Sequence, residues 1–173
     1  MLFTMALVQA GGASGPSGES DVPALEDAQG IVYNASRGTW YDDAGRAFSE
    51  AEDGEALYLY DNAKTGSLES SASDLSIDLQ GFTLSVDAVS SGARGGQGLS
   101  HDGIALGLGV HEVSNGDIIV SVGANPETVQ SATATYQGIS TGDGSKLTLS
   151  GVSLNVTYIG ASTIMPAVEL VGI

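Results

Sequence analysis

The feature that most restricts the fold is a pattern that occurs twice, in residues 77–86 and 147–156, seventy positions apart. In Ile77-Asp78-Leu79-Gln80-Gly81-Phe82-Thr83-Leu84-Ser85-Val86, apolar residues take the odd positions up to Leu79 and the even positions after Gly81. Leu147-Thr148-Leu149-Ser150-Gly151-Val152-Ser153-Leu154-Asn155-Val156 switches parity in the same way around Gly151. Strict alternation puts one side-chain set on one face of a strand. The interposed glycine lets the backbone turn a corner, so that the next strand also aims its apolar set inward. Strand, corner, strand is the grammar of a coil in a β-solenoid, where each turn of chain covers the one before. Seventy residues hold about three coils of roughly 20 to 25 residues, and the whole chain about four to six. Ile104–Leu106, Ile118–Val122 and Ala132–Tyr136 are the expected intermediate strands. On this reading Leu79, Leu84, Leu149 and Leu154 are interior, while Asp78, Thr83, Thr148 and Ser153 point outward. Bulged strands in a β-sandwich or jelly roll are the alternative, because glycine also marks bulges.

Upstream of the first copy, Ile31-Val32-Tyr33 reads as a short strand, Asn34–Gly38 as a turn and Trp40-Tyr41 as a return. A helix of about three turns follows. Asp42 or Asp43 caps it, Ala44, Ala47, Phe48 and Ala51 fall on one face, and Gly54 is its expected stop. Ala56–Tyr60 has the density of a strand, and the rest is rich in Val, Ile, Leu and Thr punctuated by Gly, Ser and Asn.

The chain of 173 residues is long enough for one domain with a real core. Residues 1–30 read as an apolar arm, Met1–Ala10, on a Gly/Ser-rich linker, and residues 31–173 as a single β domain. Ten apolar residues are too few to span a bilayer, which needs about twenty. With no Lys or Arg before Arg37, the arm also lacks the basic region of a secretory signal.

Charge narrows the partners. Five Lys+Arg against 21 Asp+Glu give a net charge of -16, which excludes a basic footprint for nucleic acid and disfavours anionic membranes. Eleven of the 21 acids lie between Glu19 and Asp61, whereas Leu147–Ile173 carries one charge, Glu169. The C-terminal part is therefore expected to be buried or covered. An acid excess with scarce lysine matches a haloarchaeal style of surface, where carboxylates hold water and cations at high salt. No cysteine is present, which removes disulfides and thiolate metal sites.

Val32-Tyr33-Asn34, Tyr41-Asp42-Asp43, Ala51-Glu52-Asp53-Gly54-Glu55, Leu57–Tyr60 and Ile77–Leu84 stand in an order that resembles surface-exposed, pectate-lyase-like proteins of bacteria and haloarchaea. Such chains open on an aromatic-rich strand and an alanine-rich capping helix, then run into a coil of the type I-D-L-N-G-x-T-L. The resemblance covers residues 31 to 86 and, in part, 147 to 156. It implies an all-β chain with one short N-terminal helix, folded as a short right-handed parallel β-helix. That signature is shared by enzymes, adhesins and virion fibres, so it speaks for fold before function. Gln80 stands where the motif has Asn, which puts an Asn ladder along the coils in question.

Several residues are candidate sites. Asp74, Asp78 and Asp87, with Arg94, are candidates for a carboxylate cluster acting on polysaccharide. Outward positions on alternating strands account for Asp78 and Asp87 without catalysis. His101 and His111 flank an apolar run but have no third ligand at matching spacing. The acids Asp42, Asp43, Glu50, Glu52 and Asp53 lack the spacing of a calcium loop. Gly142–Lys146 lacks the spacing of a phosphate loop and enters a strand, so it is a turn, and Gly92–Gly98 is a loop. Asn34-Ala35-Ser36 and Asn155-Val156-Thr157 are glycosylation sequons.

No catalytic, cofactor-binding or metal-binding residue is assigned, and the chain is read as a structural protein rather than an enzyme. The expected role is a virion surface component of a halophilic virus or phage: a capsid decoration, turret or fibre protein. It would form a homo-oligomer, a trimer being favoured, docked on other virion proteins, with Leu2, Phe3, Leu7, Val168, Leu170, Val171 and Ile173 at the interfaces. Neither nucleic acid nor a membrane span is expected, whereas glycan binding is compatible. The alternative is a secreted, extracellular β-helix protein that binds or degrades polysaccharide.

Overall fold

The computed structural model describes residues 22–90, 99–124 and 134–159. The chain is all-β with one α-helix among the described residues. After a 3-10 turn at Leu25–Asp27, β1 (Val32–Asn34) pairs antiparallel with β2 (Thr39–Tyr41) and, on its other side, with β3 (Ala56–Leu59). Between β2 and β3 lies α1 (Ala44–Ser49). The Asp43 carboxylate accepts the Arg46 N–H at 2.7 Å, satisfying one of the donors that a helix start leaves open. α1 is half the expected length. It ends before Gly54, because Glu50 closes it by donating its N–H to the Arg46 carbonyl. Ala44, Ala47 and Phe48 enter the core, and Ala51 joins them from the turn beyond.

The remaining strands are β4 (Ala63–Thr65), β5 (Leu68–Ser70), β6 (Ser76–Asp78), β7 (Thr83–Ser90), β8 (Leu99–Leu106), β9 (Val110–Ala124), β10 (Ala134–Thr141) and β11 (Lys146–Ile159). From β3 onward every pairing is parallel. Three columns result. β3, β6 and the first halves of β9 and β11 form one, with Leu57, Ile77, Val113 and Leu149 in a single inward row. β4, β7 and the second halves of β9 and β11 form the next, aligning Ala63, Leu84, Ile118 and Leu154. The third is β5, β8 and β10, with Leu68, Ile104 and Ile139 in register. These rows, Leu154 excepted, form the core or pack against it, and Phe48 of α1 belongs to the same cluster.

The repeat is real but its spacing differs from the expected one. Leu84 and Leu154 do share a row, through Ile118. Ile77, however, aligns with Leu149 and not Leu147. Between Asp78 and Thr83 the chain makes a full turn, with Gln80 and Gly81 both at positive φ (49° and 85°), whereas later strands pass the same corner with fewer residues. Between the two copies lies one intermediate pass, its corner at Asn115-Gly116, instead of coils of twenty-odd residues. Successive contacts at one corner are 20, then 36, then 36 residues apart. The step lengthens because β7 and β9 are long strands. The expected strands at Ile104–Leu106 and Ile118–Val122 fall in β8 and β9, and the third in β10 from Ala134.

Polar side chains stitch the corners. Asp53 accepts the Ser73 N–H at 2.8 Å, Asp74 the Val110 N–H at 2.6 Å, and Ser145 Oγ the Gly109 N–H at 3.0 Å. At the neighbouring corner Asn62 accepts the Thr83 N–H, and Asn115 Nδ2 donates to Asp78. Gln80 donates its side-chain amide to the Leu59 carbonyl at 3.0 Å, so it too bridges successive passes.

Candidate functional site

Two surfaces stand out, and each is built by the register. The first is the end of the ladder. The N-terminal end is covered by β1, β2 and α1, which packs on β1, β4 and β5. At the other end β11 pairs with β9 alone, leaving its second edge without a strand among the described residues. Burial follows from this. Leu79 and Leu84 are fully buried as expected, but Leu149 is only half-buried and Leu154 is 36% exposed, because the last strand is covered from one side. Val152, Val156 and Tyr158 are half-buried on the same strand, and Ile159 is exposed. Within the chain, the described part of the region after Leu147 is therefore half-buried to exposed. β11 carries one charged residue, Lys146.

The second surface is the outer face of the middle column. Lys64, Ser85, Ile119 and Asn155 stand in one row, and Asp87, Ser121 and Thr157 in the next row on that face. Lys64, Ser85, Val86, Asp87, Ile119 and Ser121 line an open cleft of about 240 Å³. None of the polar side chains among them has a hydrogen-bond or ion-pair partner within the described residues.

The three candidate carboxylates are not brought together. Asp74 and Asp78 serve opposite ends of β6 as backbone and side-chain acceptors, and only Asp87 faces the cleft. Of the acids around α1, Asp43 is the cap, Glu50 pairs with Arg46 at 2.8 Å, Glu52 with Arg37 at 2.9 Å and Asp53 accepts from Ser73, while Asp42 is exposed. Among the described residues no group of three or more His, Asp or Glu side chains converges as a metal would require.

His111 is fully buried, which the sequence reading did not anticipate. It stands in an inward row whose next member on β11 is Leu147. The Leu75 N–H donates to its Nδ1 at 3.3 Å, so Nε2 carries the hydrogen and donates to the Gly107 carbonyl at 2.9 Å. Its role is to satisfy two backbone groups at a corner. His101 lies on β8 opposite Tyr136 in β10. Gly142–Lys146 is a turn, closed by the Ser145 N–H on the Gly142 carbonyl.

Of the sequons, Asn34 is buried and donates its amide to Glu55, while Asn155 is exposed on β11. Glu55 also accepts from Arg37 and from the Glu52 N–H. Burial alone would raise the Glu55 pKa, but Arg37, the Glu52 N–H and Asn34 together hold it below the usual carboxylate value. The residues expected at interfaces, Leu2, Phe3, Leu7, Val168, Leu170, Val171 and Ile173, and also Arg94, lie outside the described residues.

Comparison with known protein families, curated proteins and solved structures found no match. No helix among the described residues is long and apolar enough to cross a membrane.

Proposed function

We propose that this chain is a self-assembling structural protein of a virion surface, a short right-handed parallel β-helix whose last strand joins it to further copies. The uninterrupted parallel register from β3 to β11, in three columns, supports the β-helix reading over a sandwich or jelly roll. Parallel crossovers are right-handed in nearly all proteins, which supports the hand. The haloarchaeal balance of acids and lysines favours a high-salt setting.

The observation that carries the assembly reading is the bare edge of β11. A strand of 14 residues paired on one edge alone among the described residues is a template for another chain, and natural proteins blunt such edges with charge, proline or a cover. Here the described edge carries a single lysine and a row of half-buried aliphatic side chains. Covering that row is driven by apolar area, with almost no charge to desolvate. Among the described residues the edges at the other end are β2, β4 and β5, each three residues long, so copies join through β11 rather than head to tail.

Sedimentation velocity of the full chain tests this. A closed oligomer is expected, and Leu154→Asp should convert it to a folded monomer. Assembly should tighten from low to molar salt, because repulsion between acidic copies reaches about 30 Å at 0.01 M salt and about 3 Å at 1 M. A monomer under all conditions, or an oligomer indifferent to Leu154→Asp, would remove the reading.

A further inference from the structure

We propose that the outer edge of β10 is a docking site for residues 168–173 of the same chain, which add to it as the next strand of the third column. Among the described residues that column ends at β10, which pairs with β8 alone. Its inward row loses cover toward this end: Leu68 is fully buried, Ile104 nearly so, and Ile139 only half-buried. A strand edge beside a half-covered apolar row is a template for a further strand.

The occupant is named by a pattern that recurs along the column. Gly-Ile stands at Gly103-Ile104 in β8 and at Gly138-Ile139 in β10, and the register sets Ile139 on Ile104. It stands again at Gly172-Ile173, so the two steps are 35 and 34 residues. From β5 onward every pairing of successive passes steps by 34 to 36 residues, which puts Gly172-Ile173 where the next pass is due. Gly30-Ile31 shares the dipeptide but precedes β1, outside the column. The pattern has a physical reason. A Cβ on Gly103 would lie 2.2 Å from Val120 Cγ1, and one on Gly138 2.5 Å from Val156 Cγ2, so the third column comes against the middle one at each glycine. The isoleucine that follows joins the core or packs against it.

The intervals decide whose segment it is. Eight residues separate β7 from β8, nine separate β9 from β10, and eight lie between the end of β11 and position 168. An interval that twice carries the chain from the middle column to the third does so again, and no exchange between copies is needed. With Gly172 over Gly138 and Ile173 over Ile139, the row of Leu68, Ile104 and Ile139 gains a fourth member. Alternation turns Val168 and Leu170 to the side of Gly172 and leaves Glu169 and Val171 outward, so the one acid of the segment stays in water. Val168, Leu170 and Ile173 thus serve the core of their own chain instead of a contact between copies.

The site is the edge of β10 and not that of β11, so it stands or falls separately from assembly. The chain has no cysteine, which makes an introduced pair an unambiguous reporter. Gln137 and Val171 each precede their glycine by one residue, so Gln137→Cys with Val171→Cys sets two thiols side by side on the outer face. Oxidised in dilute, low-salt solution, this full-length variant should close a disulfide within one chain, read from its intact mass and from a non-reducing gel without a dimer band. Gln137→Cys with Leu170→Cys, whose side chains point to opposite faces, should stay reduced. No disulfide in the first pair, equal closure of both pairs, or a link between chains would overturn the proposal. Should the first pair fail to fold, contacts between the Ile139 and Ile173 methyl groups in the NOE spectrum of the unchanged chain decide: their presence supports the docked strand and their absence overturns it.

Discussion

The side-chain amide of Asn34 donates to Glu55 Oε2 at 2.7 Å, joining two buried polar residues from opposite ends of the N-terminal cap. Arg37 completes the group by donating to Glu55 Oε1, and its other nitrogen reaches Glu52. This is how a three-residue strand, β1, is fixed against β3 without a larger core of its own. It also shields Asn34 from any modifying enzyme, whatever the sequon pattern implies.

A pH dependence follows from that cluster. Because the folded-state pKa of Glu55 lies below its unfolded value, the unfolded chain binds a proton at higher pH than the folded one. The contribution to stability is full above the unfolded carboxylate value and is lost as pH falls through the folded one. Urea denaturation of Glu55→Gln and of the unchanged chain should show a gap at neutral pH that narrows on acidification below the usual glutamate range. Glu52→Gln, whose side chain is 79% exposed, should show much less of a gap.

The columns approach so closely that a side chain at several glycines, Gly103 among them, would meet its neighbours. A Cβ on Gly103 of β8 would lie 2.2 Å from Val120 Cγ1 and 2.6 Å from the Gly138 carbonyl. Gly103→Ala should therefore destabilise by about 1 to 3 kcal/mol through overpacking. Gly66→Ala, with nothing within 4 Å of the added atom, should be near neutral. Paired urea melts compare the two.

His111 can be tested by its shape. His111→Leu suits the inward row it shares with Leu147 but leaves the Leu75 N–H and the Gly107 carbonyl without partners. The loss should be about 1 to 3 kcal/mol for each group left unsatisfied. His111→Gln, which offers both an acceptor and a donor, should recover part of it. Equal stability of the Leu variant and the unchanged chain would show that the two bonds contribute nothing.

Much of the fold was legible in the sequence, for reasons visible in particular residues. Leu79 and Leu84 are buried because alternation fixes the face of a strand, and Asp43 caps α1 because its spacing to Arg46 is local. The step between passes was not legible. The middle corner, Asn115-Gly116, is shorter than the Leu79–Phe82 turn, so the intermediate copy was displaced from the frame in which it was sought. Nor was the exposure of Leu154 readable, since alternation gives the face of a side chain but not whether a further strand covers it. The cleft is not legible in the sequence, because its residues come from three strands at long separations. His111 carried one signal, its place at an inward parity, but a single polar residue there does not reveal the backbone groups it serves.

Assembly through β11 is tested most directly by amide hydrogen exchange along residues 146–159, read at low and high protein concentration. In a parallel ladder half of the N–H groups of an edge strand point away from its only partner. Those groups should exchange fast in dilute, low-salt solution and become protected at high concentration in molar salt, while amides of β6 and β7 stay unchanged. Protection along β11 that is the same at every concentration, or absent even when the protein is concentrated, would contradict the edge as a contact between copies.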